Sequence, residues 1–232
     1  MNKISIIIPV LNEADIIAKL LIYLIDHASL ENISEIIVVD GGSSDQTVNI
    51  VTDLKLNIHI INSERGRAKQ MNKGASVARG NILYFLHADS FPPLQYDQMI
   101  IAEVEKGNLA GCFRMQFDHP HWWLRLASWL TQFSWRACRG GDQSQFITRA
   151  LFDEIGGFDE SYVIYEDNIL INELYARKQF VVINKKLKTS ARQYRKHGIW
   201  KLQYHFWAIY IKKWFGASAD NLYAYYKKHI AT

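Results

Sequence analysis

Residues Ile4–Val10 form an almost unbroken apolar run rich in β-branched side chains, the pattern of a strand covered on both faces. Similar runs recur at Glu35–Asp40, Asn57–Ile61 and Ile82–His87. Between them lie segments with helical periodicity. Glu13–His27 places Ile16, Ile17, Leu20, Leu21 and Leu24 on one stripe behind Asn12 as an N-cap, Asp45 caps a short helix through Leu54, and Arg67–Ala78 reads as a third helix. Strand and helix alternating at this spacing predict βαβ units, hence an α/β fold around a mostly parallel sheet flanked by helices. Ligands of such sheets bind beyond the carboxyl ends of the strands. Asn12 and Glu13, then Asp40, then His87 and Asp89 fall there, although loop polarity and helix capping account for such residues equally well.

The second half is less regular. Strands are expected at Leu109–Phe117 and about Ser144–Thr148, the latter after a turn at Gly140–Gln143. Gly156-Gly157 ends a short helix, Glu166–Lys178 is helical, and Ile199–Phe215 and Asn221–His229 are C-terminal helices. We read residues 1–232 as one domain: an alternating first part to about 115, a less regular second part over about 116–198, and an aromatic helical extension over about 199–232. A hydrophobic fraction of 49% argues against disorder. A net charge of +4 is too mild for a nucleic-acid partner. Two cysteines, Cys112 and Cys138, lack disulfide-framework density and suit a reducing compartment. Pro9, Asn12 and Glu13 interrupt the first apolar run too early for a signal peptide, and no stretch is long and apolar enough for a transmembrane helix. A cytoplasmic protein is expected, with the inner face of the membrane as a candidate site of contact.

Three constellations bear on chemistry. Asp40-Gly41-Gly42-Ser43-Ser44-Asp45 sets a carboxylate beside glycines that let backbone approach a ligand closely. Neither a Gly-x-Gly-x-x-Gly fingerprint nor a Walker lysine follows the first strand, so dehydrogenase and P-loop readings lose their main support. His87-Ala88-Asp89 could hold a Mg²⁺ or Mn²⁺ ion that neutralises a diphosphate leaving group. Glu166-Asp167 opens a helix, where acids meet the dipole favourably or where one of them could act as a general base.

Taken in order, these segments resemble the family 2 glycosyltransferases of GT-A fold. The resemblance runs over about residues 4–178 and rests on Pro9-Val10-Leu11-Asn12-Glu13, Asp40–Thr47, Gly66–Ala75, His87-Ala88-Asp89 at the Asp-x-Asp position, and Glu166-Asp167. It implies an inverting transferase with a nucleotide-diphosphate sugar donor, a UDP-sugar in preference to a GDP-sugar. Pro9, Val10, Asn12, Glu13, Asp40, Gly42, Gly66, Arg67 and Met71 would hold the nucleotide with His87, Ala88 and Asp89. Asp89 would bind the metal, and Asp167, or alternatively Glu166, would be the base. Gly141, Asp142 and Gln143 look like the acceptor-side loop. Arg192, Arg195 and His197, placed in a loop before the last helices, are candidate phosphate contacts, since Arg forks suit phosphate oxygens.

His87 departs from the Asp-x-Asp pattern and marks a His-Ala-Asp branch. A neutral imidazole can ligate Mn²⁺ but suits Mg²⁺ poorly, and it can equally hydrogen-bond a ribose or phosphate. Two other classes stay open: a sugar nucleotidyltransferase, disfavoured by the acidic loop at Asn12-Glu13, and a non-catalytic nucleotide-sugar-binding or scaffold protein. Trp200, Tyr204, Phe206, Trp207, Tyr210, Trp214 and Phe215 stand among Lys201, Lys212 and Lys213. That mix fits a peripheral membrane face or ordinary aromatic packing. The sugar, the acceptor and the oligomeric state are not encoded in readable form.

Overall fold

In the computed structural model, which describes residues 2–140 and 143–231, the first apolar run forms β1 (Ile4–Val10), buried along its whole length. Its even and odd residues point to opposite faces, as strand geometry requires. Ile4, Ile6, Ile8 and Val10 pack against α1 (Ile17–Asp26), α2 (Thr47–Asp53) and α4 (Tyr96–Glu105). Ile7 packs on the other side against α3 (Arg67–Val77), α6 (Arg149–Ile155) and α7 (Glu166–Ala176). β2 (Ile33–Asp40) divides in the same way, with Ile36 and Val38 on one face and Ile37 and Val39 on the other.

With β3 (Ile58–Asn62), β4 (Ile82–Phe85), β5 (Ser90–Phe91), β6 (Ala110–Phe117), β7 (Gln145–Thr148) and β8 (Phe180–Thr189), these strands make an eight-stranded sheet in the order β3-β2-β1-β4-β7-β6-β8-β5. Strands β3, β2, β1 and β4 run parallel. β7 is antiparallel to both β4 and β6, β6 and β8 are parallel, and β5 is antiparallel to β8. The sheet is therefore mixed: four parallel strands from the half that alternates strand with helix, then a second half in which the parallel pair β6 and β8 is joined through antiparallel neighbours. A separate apolar cluster joins α5 (Trp122–Leu130), α8 (Arg192–His197), α9 (Ile199–Trp214) and α10 (Ala219–His229) to the end of β6 through Phe117, Leu124, Tyr194, Leu202, Ile209 and Leu222.

Three local expectations are corrected. Asn12 does not cap a helix: it has φ 56°, and α1 begins only at Ile17. Its side chain accepts from Ser44 N at 2.8 Å, and Glu13 N donates to Thr47 Oγ1 at 2.8 Å, so neighbouring loops consume the capping groups. β4 ends at Phe85, not His87. Arg192–His197 is a short helix rather than a loop; Ser190 Oγ accepts from Arg192 N at 3.1 Å and Asp118 Oδ1 from Ala191 N at 2.6 Å, satisfying donors at its start.

α3 lies unusually close to the sheet. A Cβ at Gly74 would come within 2.4 Å of Ile7 Cγ2 and 3.0 Å of Val39 Cγ2. Overpacking against central strands costs about 1–3 kcal/mol, more than the ~1 kcal/mol of helix propensity that alanine would add. Gly74→Ala is therefore expected to lower the thermal midpoint by about 2–4 °C for each net kcal/mol lost. A calorimetric scan in which the variant melts higher would contradict this packing argument.

Candidate active site

The carboxyl ends of β1 and β2 are tied together before any ligand arrives. Gln70, buried on α3, donates from Nε2 to Val10 O at 2.9 Å and to Val39 O at 2.8 Å. Gly41 N donates to Val10 O at 3.0 Å. Asp40, 5% exposed, accepts from Gly42 N and Ser43 N at 3.0 Å and also from the Ser43 hydroxyl. Asn12 N donates to Ser43 Oγ at 3.0 Å, and Ala14 N to Asp45 Oδ2 at 3.2 Å. The loops carrying Asn12, Glu13, Asp40 and Gly42 thus form one hydrogen-bonded rim above the sheet. Gln70 was not singled out from sequence, because its two carbonyl partners are defined only once the strands are paired.

The second group forms around Arg192. Its guanidinium grips the Glu13 carboxylate with two bonds, at 2.9 and 2.8 Å, and Nη2 lies 4.0 Å from Asp89 Oδ2. The hydrogen bonds it donates to Glu13 hold Arg192 more firmly protonated than usual, despite partial desolvation. The contact depends on the short pairing of β5 with β8. Ser90, next to Asp89, pairs with Thr189, and their buried hydroxyls are 3.1 Å apart. That single rung brings Asp89, from the first half of the chain, beside Arg192, from the second. Among the described residues no three His, Cys, Asp or Glu side chains converge as a ready-made metal cage. Asp89 and His87 would suit a cation that keeps waters and takes further oxygens from a diphosphate.

The third group joins α3 to α7. Gly66, with φ 141°, turns the chain into α3. Arg67 Nε then pairs at 2.8 Å with Glu166 Oε1, whose side chain is wholly buried. Asp167 follows, 8% exposed. Burial pushes its carboxyl above the ordinary value, and the nearby Arg67 charge offsets part of that rise. Asp167 shares one recess with Pro9, Met71, His87 and Gln145, so residues from both ends of the sequence meet there. Gln145 was not anticipated. It is buried on β7, and its Nε2 has no hydrogen-bond partner among the described residues. Such a donor costs about 1–3 kcal/mol if left unpaired, which suits a group kept to meet a ligand.

The remaining expected residues divide. Gly141 and Asp142 lie outside the described residues. Gln143 lines a second, larger cavity that also reaches Asp167. Its amide is occupied: Oε1 accepts from Arg139 Nη1 at 2.6 Å, and Nε2 donates to Cys138 O at 2.6 Å. Arg139, 2% exposed, also donates to Thr131 O and Phe133 O, so this turn is held from within. Arg195 is paired with Asp118 at 2.9 Å and does not join Asp89 and Arg192. His197 sits half-buried at the far end of α8.

Comparison with known proteins agrees with this arrangement. The family model described as "Glycosyl transferase family 2" matches residues 5–159. Over 135 residues the chain is 29% identical to the undecaprenyl-phosphate 4-deoxy-4-formamido-L-arabinose transferase of Proteus mirabilis, covering 55% of this chain and 41% of that protein. It is 30% identical to a PGL/p-HBAD biosynthesis glycosyltransferase of Mycobacterium tuberculosis over 175 residues, 70% of this chain and 66% of the other. The fold matches S. aureus TarS in complex with UDP at a TM-score of 0.67 and 20% identity, covering 82% of this chain and 60% of that one. The chain thus spans less than half the length of the Proteus relative. Because the family model covers well over half of the 232 residues, and because its loop residues gather at the carboxyl ends of a GT-A sheet, the chain belongs to glycosyl transferase family 2.

Proposed function

We propose that this chain transfers a sugar from a nucleotide-diphosphate donor, a UDP-sugar by preference, to an acceptor hydroxyl with inversion at the anomeric carbon. The observation that carries the reading is the position of Asp167, desolvated and shared between the recess lined by Pro9, Met71 and His87 and the larger cavity beyond. The rim formed by Asn12, Glu13, Asp40 and Gly42 is the place for the nucleoside, with Met71 beneath it. Complexes of TarS with UDP and with UDP-GlcNAc support the donor class. Asp89, with His87 beside it, would hold Mn²⁺ or Mg²⁺, which when bound supplies positive charge to the departing diphosphate. Arg192 stands at the same place with a charge of its own and can turn from Glu13 toward phosphate oxygens. Asp167 accepts the proton of the attacking hydroxyl. Glu166 is the poorer candidate for that role, because its carboxylate is committed to Arg67.

The exposed aromatic face belongs to the same proposal. Trp200, Trp207 and Trp214, spaced by seven on α9, are 51%, 46% and 85% exposed, and Phe215 is 82% exposed. Seven residues are close to two helical turns, so the three rings share a face. Lys212 and Lys213 beside them complement an anionic bilayer surface. Among the described residues no helix is long and apolar enough to cross a membrane, which leaves contact from one side as the form proposed here.

Five outcomes are expected. In thermal-shift assays UDP should raise the midpoint more with Mn²⁺ than without it, in line with a gain of about 2.7 kcal/mol at a hundredfold excess over Kd. Asp89→Asn should abolish that metal-dependent part, and an undiminished Mn²⁺ effect would remove Asp89 from the metal site. Asp167→Asn should keep the UDP shift and lose about 10²–10⁴-fold in transfer; full transfer would move the base elsewhere. The same variant carries a stability signature. A carboxyl whose folded pKa is raised binds its proton more tightly in the folded state, so its contribution falls as pH rises from about 4 through the folded value. Asp167→Asn should therefore melt above the parent at neutral pH, with the gap closing toward acid pH. Finally, co-sedimentation with anionic vesicles should fall for Trp200→Ser and Trp214→Ser, and unchanged partitioning of both would refute the membrane face.

A further inference from the structure

The larger cavity encloses about 1040 Å³. Protein interiors rarely hold voids much larger than a water molecule, and small-molecule sites run to about 300–1,000 Å³. A cleft of this size has room for a small molecule or for the body of a larger one. It begins at Asp167 and Arg67, passes between α5, the start of α7 and α9, and reaches Trp207 and Trp214.

The chemistry of its wall limits what it can receive. Met115, Phe117, Leu130, Ile164, Phe206 and Ile209 contribute apolar surface. The polar side chains around them are largely bound to one another. The Gln203 carboxamide oxygen accepts from Trp123 Nε1 at 2.9 Å and from Tyr194 OH at 3.2 Å. Tyr210 OH donates to Asn168 Oδ1 at 3.3 Å, and Arg136 is bonded to the Asn172 side chain and to Asn168 O. Arg139 is spent on carbonyls, Gln143 and Cys112. A sugar acceptor buried here would have to break these pairs or leave its own hydroxyls unmatched, each at a cost. An apolar body meets the wall without that penalty.

We infer that the acceptor is a hydroxyl-bearing amphiphile, an alcohol or phenol on an extended apolar body, rather than a glycan. This rests on the transferase reading given above. The hydroxyl lies at Asp167 and the apolar part extends toward α9. In the step itself the acceptor O–H bond breaks and its proton passes to the Asp167 carboxylate. The freed oxygen pair forms the new bond to the anomeric carbon, and the old bond from that carbon to the diphosphate breaks with its electron pair leaving on the nucleoside diphosphate.

The test uses the full chain and three probes: farnesol, 4-octylphenol and maltotriose. Because Trp123 and Trp207 line the cavity, saturable change of tryptophan fluorescence reports entry without requiring turnover. Farnesol and octylphenol should bind saturably and maltotriose should not. Ala127→Trp, which places a ring in the cavity away from Asp167, should weaken octylphenol binding about tenfold or more, as pocket misfits do, while leaving the UDP thermal shift unchanged. With a UDP-sugar that raises the melting midpoint, mass spectrometry should then find the glycosylated alcohol or phenol. If neither apolar probe binds saturably while UDP still stabilises the protein, the acceptor class is wrong and the transferase reading stands. Glycosylation of maltotriose but not of the apolar probes overturns it in the same way. If UDP and UDP-sugars produce no shift and no transfer with any probe, the transferase reading falls and the acceptor assignment falls with it.

Discussion

The ion pair between Arg67 and Glu166 is the contact on which the site depends. Glu166 has no exposed surface, and a buried carboxylate deprived of its counter-charge costs several kcal/mol. Arg67 supplies that charge at 2.8 Å from the first residue of α3, while Glu166 is the first residue of α7. The pair therefore fixes the start of a helix from the first half of the chain against the start of a helix from the second. Asp167 is carried into place as the next residue along. Tyr165, just before the pair, has φ 73° and packs edge-on against Tyr210 of α9, so the turn into α7 is held from both sides. A left-handed tyrosine costs about 1–3 kcal/mol and persists only where its surroundings overdetermine it.

The two ends of the sheet handle polarity in opposite ways. At the amino end Glu35 is buried, yet it accepts from the Ser5 hydroxyl and from Arg79 N and Nε, the amide at 2.8 Å. Burial alone would raise its carboxyl, but these bonds and the Arg79 charge outweigh that and bring it below the ordinary range. Gly80 is wedged beside this network, where a Cβ would come within 2.6 Å of Lys3 O. At the carboxyl end the donors and acceptors are arranged around space: the buried Gln145 amide finds no partner among the described residues, and Asp89 and Arg192 face each other at 4.0 Å.

The strands were legible because their side chains alternate between two covered faces, which turns Ile4–Val10 and Glu35–Asp40 into near-continuous apolar runs. The site loops were legible as motifs but not as geometry. Asn12 looks like a helix cap until Ser44 is placed beside it, and Arg195 looks as suited to phosphate as Arg192 until Asp118 is found opposite. Gln70, Arg139 and Gln145 carry no local signal at all. Each is defined by partners, or a lack of them, between elements distant in sequence. The Ser90–Thr189 rung is the extreme case: two residues, 99 positions apart in sequence, decide which arginine meets Asp89.

The C-terminal helices rest on a core of their own. Leu202, Ile209, Leu222 and Ile230 pack with Tyr194 and Phe117, apart from the clusters that line the two faces of the sheet. Proteins open in cooperative units whose free energies follow their own buried contacts, so α9 and α10 can loosen at a lower cost than the sheet they cover. Such an opening removes one wall of the large cavity and releases Tyr165 from Tyr210, while the rim at Asp40, which lies outside that cluster, keeps its own hydrogen bonds. For the transferase proposed above, this would let a bulky molecule enter or leave past α9 without dismantling the rim assigned to the nucleotide.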